Sequence, residues 1–409
     1  MGNGFMIQEN KKITIPEYLL LFLGFLNFTG RGTYFLIVFA GIYIFSRKRL
    51  IHFNMKTGAK IYLLFFIAYL SAVLLFLEYR DIMAPVCGLL LFFVGQVVAM
   101  QTEDKNEIRR FIFVAIAGQT VHGILNFLFN VSKVEKLAYR QIEDIWLGLQ
   151  QATGHMSVFV PLIAASFVIL FLTKSHWINR IFSLACLMIG IIYTFMCATR
   201  FIFYFFLIVV ATGIALYFIE VKARRYRRNM FRKIGSLILI LTILFAFNLF
   251  GIRTALLTSN LTVRVEGFGV DSAFTSVDRS KQIREVLSNF EQYLLGGKPT
   301  GIPFIHNAWI SALNLGGIFL FFAFIVLTCR MVYVLFCCKK RVELISFAYL
   351  FGYVICILMY CWIESILDSS RILFYSMSMT LGIMEGITAR SPIKMLVESD
   401  DGKTDKKNS

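Results

Sequence analysis

Long apolar runs separated by short polar breaks set the pattern of this chain. Twelve stretches, at about 14–29, 33–46, 60–77, 82–100, 111–129, 156–172, 181–199, 201–219, 234–250, 308–329, 342–362 and 372–388, read as membrane-spanning helices. The second is short for a bilayer, so it tilts little or begins earlier. A helix rises about 1.5 Å per residue and a bilayer core is about 30 Å thick. The apolar stretch Ile181–Ile219 is therefore too long for one crossing and must fold back. The break falls at Ala198-Thr199-Arg200, and Arg200 is the only charged residue in that stretch. The predicted fold is all-α: a polytopic integral membrane protein of about twelve transmembrane helices, with residues 1–390 forming a single helical domain.

Two connections are long, at about 130–155 and 251–307, and long connections in a compact protein are usually functional or disordered. The later one carries its own periodicity. Ile283, Val286, Leu287, Phe290 and Leu294 recur at helical spacing, which predicts an amphipathic helix lying on the membrane surface or packed on the bundle. Asp278 reads as its N-cap and Gly296-Gly297 as its stop. Gly301 and Pro299 continue a structured turn that leads to His306-Asn307-Ala308-Trp309. The tail at 391–409 is polar and reads as a disordered cytoplasmic segment.

Composition supports this pattern: 58% of the residues are hydrophobic, 43 are Phe and only 16% are charged, which excludes an ordinary soluble protein. The formal net charge is +17, and its distribution decides the topology. Placing both termini in the cytoplasm puts 28 of the 41 Lys and Arg residues on that side, mostly in short loops such as Arg47-Lys48-Arg49, Arg109-Arg110 and Lys339-Lys340-Arg341. The two long loops then face the extracytoplasmic side. No cleavable leader is evident, because the first apolar segment is followed directly by another. The eight Cys fall in or beside spans and form neither a disulfide framework nor a CxxC site, and Cys337-Cys338 read as buried thiols rather than acylation sites. The basic run from Lys222 to Lys233 anchors the topology on anionic lipid, and no nucleic-acid partner is expected.

Candidate chemistry gathers on the extracytoplasmic side. A lone Arg at membrane depth is costly and marks a functional site, so Arg200 asks for an anionic partner. Arg264, Arg279 and Arg284 share its side of the membrane. Arg279 falls in the first turn of the amphipathic helix, where a cation opposes the helix dipole unless an anion is shared with the free N–H groups; a solvated surface arginine is the plain alternative. His306 is the last titratable residue before the tenth span, and imidazole is the side chain suited to moving protons near neutral pH. Guanidinium groups bind phosphate oxygens through paired, charge-assisted bonds, and fixed cations stabilise a departing pyrophosphate. The set therefore fits glycosyl transfer from a polyprenyl-pyrophosphate donor. Glu364, Asp368 and Arg371 read as a partly paired cluster that supports the site.

The segment from Asp278 to Phe324 resembles the signature region of the O-antigen polymerase and O-antigen ligase family. The resemblance rests on Arg279, Gly296-Gly297, His306-Asn307-Ala308-Trp309 and Leu315-Gly316-Gly317-Ile318, and on Ala198-Thr199-Arg200-Phe201 at a span's outer end. It implies that Arg200 and Arg279 hold the donor pyrophosphate with help from Arg264. It also implies that His306 activates the acceptor hydroxyl, and that Asn307 orients His306 or binds sugar. No metal or cofactor is implied. The donor would be a growing glycan on undecaprenyl pyrophosphate in a bacterial plasma membrane, and the acceptor another lipid-linked repeat unit. Partners would be that lipid-linked oligosaccharide, membrane lipid, and a flippase and chain-length regulator of the same pathway. Three alternatives remain open: a ligase that uses a terminal acceptor, a polyprenyl-monophosphate-sugar glycosyltransferase working through Glu78-Tyr79-Arg80-Asp81, and a lipid-linked oligosaccharide flippase.

Overall fold

The computed structural model describes residues 12–47, 57–77, 79–102, 105–130, 141–151, 252–257, 277–299, 301, 305–339, 341–342, 344–367 and 370–389, with isolated positions between 177 and 248. In chain order the elements are α1 (Ile15–Phe25), α2 (Gly32–Ser46), α3 (Thr57–Phe76), α4 (Met83–Gln101), α5 (Lys105–Asn130), β1 (Gln141–Asp144), β2 (Gly148–Gln151), α6 (Ile252–Leu257), α7 (Val277–Ser288), α8 (Ala308–Cys338), α9 (Leu344–Ile363) and α10 (Arg371–Ala389). The chain is mostly helical and membrane-embedded. Six of its helices, α3, α4, α5, α8, α9 and α10, are long and apolar enough to cross a bilayer. The helices α1 and α2 are apolar but shorter, at 11 and 15 residues. The spans expected at 156–172, 181–199 and 201–219 lie outside the described residues, and the one at 234–250 is described only at isolated positions.

Successive helices run alternately up and down. The turn at 27–30, the β-hairpin, α7 and the turn at 364–370 therefore gather at one end, here the upper end. At the lower end α1 begins with a reciprocal cap. Thr14 N donates to Glu17 Oε2 at 2.7 Å, and Pro16 occupies the first turn, where its missing N–H costs nothing. The same carboxylate receives Arg47 Nη1 at 2.5 Å and Nη2 at 3.0 Å, and Nη2 also donates to Lys12 O at 2.9 Å. Arg47 was expected to be a loop charge. It is instead a buried clamp between α1 and the end of α2, because Glu17 and the Tyr43 ring beneath its guanidinium offer it a place inside.

Apolar helices in lipid gain little from hiding apolar surface, so close backbone approach and polar bonds hold them together. The tightest pair is α4 with α10. Gly382 and Gly386 lie one turn apart on α10, and a methyl group on either would strike a backbone carbonyl of α4, that of Phe92 or Gln96. Polar bonds tie other pairs: Tyr353 Oη to Gln119 Oε1 at 3.0 Å, Tyr62 Oη to Ser378 Oγ at 2.6 Å, and Arg330 to both oxygens of Glu385 at 2.6 and 3.0 Å. Between them, Tyr62, Phe65, Tyr69, Phe92, Phe324 and Phe374 form a contiguous aromatic core.

One part of the fold departs from all-α. Within the 130–155 connection, β1 and β2 pair antiparallel, with Asp144 opposite Gly148. Asp144 Oδ1 accepts from the backbone N–H groups of Trp146 and Leu147 at 2.8 and 3.0 Å, an Asx-type turn that Gly148 closes at φ 75°. The hairpin is docked on the last turns of α5. His122 Nε2 lies 2.8 Å from Asp144 Oδ2, Asn126 Nδ2 donates to the same oxygen at 3.0 Å, and Asn130 Nδ2 donates to Glu143 O at 2.7 Å. The three residues are spaced at i, i+4 and i+8, one polar stripe on an otherwise apolar helix.

Candidate functional site

The site is built around a break in α8. The helix counts 31 residues, but Gly316 (φ −121°, ψ 16°) and Gly317 (φ 68°, ψ −161°) leave helical geometry. Trp309 Nε1 nevertheless donates to Thr328 Oγ1 at 3.2 Å, across a sequence separation of 19. A straight helix would hold those residues about 28 Å apart. The limb 308–315 therefore folds back on the limb 318–338. The tenth span is the second limb rather than 308–329. Only glycine takes up the backbone conformation of Gly317 without strain, which is why the reversal sits there.

The break frees backbone groups, and a second glycine pair satisfies them. Gly297 N donates to Leu315 O at 3.0 Å, Lys298 N to Asn314 O at 2.9 Å, and Ile318 N to Leu294 O at 2.9 Å. Gly296 and Gly297 have φ of 79° and 82°, and a methyl group on Gly296 would sit 2.5 Å from Gly317 N. The two glycine pairs lock the turn after α7 into the reversal of α8.

The amphipathic helix is shorter than its periodicity predicts and phased differently. It spans Val277–Ser288, so Asp278 lies inside it rather than capping it. It stops because Asn289 turns out of the helix and its side chain donates to Glu285 O at 3.0 Å; a 3-10 turn, Phe290–Tyr293, follows. The residues that pack inward are Val286 and Tyr293, with Ile305 and Leu313, while Leu287, Phe290 and Leu294 of the expected stripe stay exposed.

His306 occupies the bend between this assembly and α8. Asn307 N donates to Ile305 O at 2.7 Å, a three-residue turn that presents His306 at its apex. Asn307 then caps the limb 308–315: its Oδ1 accepts from Trp309 N and Ile310 N, each at 3.1 Å. That oxygen is thus committed to the backbone rather than to orienting the imidazole. The imidazole is held from elsewhere. His306 Nδ1 lies 2.9 Å from Glu364 Oε2, with side-chain exposures of 27% and 8%. Glu364 follows the last turn of α9, where its N–H donates to Tyr360 O at 2.8 Å. Two tryptophans flank the pair: Trp309 and Trp362 meet edge to face at 6.4 Å, with Trp362 exposed.

The chain matches no known family model and no curated protein.

Of the residues expected in the site, the structure brings His306 and Glu364 together. Arg284 lies exposed on α7, and Arg279 lies in the first turn of that helix, although only its backbone is described. Arg200 and Arg264 lie outside the described residues. The expected cluster of Glu364, Asp368 and Arg371 divides. Glu364 faces His306, Arg371 Nη2 pairs with Asp81 Oδ1 at 2.5 Å, and Asp368 lies outside the described residues. Sequence reading missed the role of Trp362, although its position two residues before Glu364 was a signal. It also missed the Asp81–Arg371 pair, whose members stand 290 residues apart.

Proposed function

We propose that this chain is a polymerase of lipid-linked oligosaccharide repeat units. It transfers a growing glycan from undecaprenyl pyrophosphate to a hydroxyl of another repeat unit. The observation that carries the reading is the pairing of His306 with the buried Glu364 at the apex of a locked turn. A lone surface histidine needs no such support, whereas a general base does.

In this reading the acceptor hydroxyl gives its proton to His306 as its oxygen bonds to the anomeric carbon of the donor sugar. The bond from that carbon to the pyrophosphate oxygen breaks, and undecaprenyl pyrophosphate leaves with the electron pair. Arg200, Arg264 and Arg279 neutralise the departing charge, and Arg284 supports them. The chain crosses the bacterial plasma membrane twelve times with both termini in the cytoplasm, so the upper end is extracytoplasmic and substrate arrives within the outer leaflet. The pathway's flippase and chain-length regulator would be its neighbours.

Extension of a defined lipid-linked repeat unit by purified protein tests the proposal. His306→Ala should insert normally and lose at least about 100-fold in rate, the usual contribution of a general base. Arg279→Ala should also fail, and Arg279→Lys should remain impaired because a point ammonium lacks the planar fork. Cells carrying either alanine variant should hold single repeat units, and normal chain length in both would reject the assignment. If Asp81→Asn abolished transfer while His306→Ala kept it, the monophosphate-donor reading would replace this one.

A further inference from the structure

We infer that Glu364 is a positioning residue, which fixes the His306 imidazole in the tautomer whose Nε2 lone pair takes the proton. The inference rests on the polymerase reading above. An ionised carboxylate can only accept, so the 2.9 Å approach of Nδ1 to Oε2 places the ring hydrogen on Nδ1. A neutral ring with Nδ1–H carries its lone pair on Nε2, and the partner of one nitrogen thereby sets the function of the other.

Both members are anchored independently, so the pairing is more than the meeting of two loose side chains. On the histidine side, Ile305 is buried and Asn307 is bound into the cap of the following limb. On the glutamate side, Ser365 and Ile366 are buried, and Leu367 O accepts from Tyr69 Oη at 3.0 Å, which fastens the turn to α3. The hydrogen bond thus joins two fixed points 58 residues apart. A structural tie alone would also join them, and the test separates the two roles.

Two readouts are needed on the full-length protein in lipid. The first is the ¹⁵N spectrum of histidine-labelled protein at alkaline pH, with His306 assigned by its loss in His306→Gln. The wild type should show Nδ1 protonated and Nε2 bare. Glu364→Ala should move the ring toward the Nε2–H form, and the isosteric Glu364→Gln should give a mixture, because an amide can accept or donate. The second readout is extension of the lipid-linked repeat unit. Glu364→Gln should lower kcat about 100-fold with little change in KM, and Glu364→Asp should recover part of the loss. An unchanged tautomer in both Glu364→Ala and Glu364→Gln overturns the inference, as does turnover within twofold of wild type. If the tautomer responds as stated but the wild type extends no glycan, the polymerase reading fails while the hold of Glu364 on the ring stands.

Discussion

Two acid–base pairs show how burial separates structural from chemical roles. Glu17 and Arg47 have side-chain exposures of 1–3%, so almost no water reaches either ion. His306 keeps 27% of its side chain exposed while its partner keeps 8%, which leaves one face of the imidazole open to a reactant. Removing one member of a buried pair strands the other charge, which costs about 3–5 kcal/mol, whereas removing both charges costs far less. Arg47→Met should therefore lower unfolding stability in detergent by roughly that amount. Adding Glu17→Gln should restore most of it, because glutamine still accepts from Thr14 in the cap. Arg47→Met with wild-type stability would mean that the pair carries no such strain. At the same scale, Asn307 shows why a motif residue need not be a chemical one: its side-chain oxygen already serves two backbone donors of the limb that follows.

At the scale of elements, the reversal of α8 and the turn after α7 form one device. Each supplies backbone groups that the other lacks, so neither glycine pair can change alone. Alanine at Gly317 would meet the Leu294 carbonyl and would adopt a backbone region that only glycine occupies freely. That combination costs at least about 1–3 kcal/mol. Gly317→Ala should therefore lower the thermal midpoint and abolish glycan extension, and Gly296→Ala should do the same. Gly41→Ala is the control, since nothing lies within 4 Å of the added methyl group. Equal midpoints for Gly317→Ala and Gly41→Ala would dismiss the lock. The sequence announced both glycine pairs as turns. It did not announce that they dock on each other, because glycine signals a permitted backbone conformation and carries no label for its partner. The hairpin was hidden for a related reason. Asn126 and Asn130 read as polar residues at a helix end, and only the fold shows them clasping β1.

For the whole molecule, apolar periodicity was legible wherever a helix had only to match a bilayer. The described helices α3, α4, α5, α9 and α10 fall within a few residues of the expected spans. Legibility ended where tertiary partners override the local pattern. Arg47 reads as loop charge until Glu17 stands beside it, and a run of apolar residues through 308–338 reads as one helix until Trp309 meets Thr328. The charge asymmetry of the loops still makes a demand on the complete chain: everything at the upper end must face the same compartment. Leu149 on the hairpin and Glu291 in the turn after α7 are exposed there, and Arg110 is exposed near the opposite end, at the start of α5. Leu149→Cys and Glu291→Cys should therefore react in intact cells with a membrane-impermeant maleimide. Arg110→Cys should react only after the membrane is opened, with the unsubstituted chain as background for its own cysteines. Two upper-end positions that report opposite compartments would break the bundle as described. Labelling of all three from the wrong side would keep the bundle but invert it, and His306 would then lie in the cytoplasm, where substrate in the outer leaflet could not reach it.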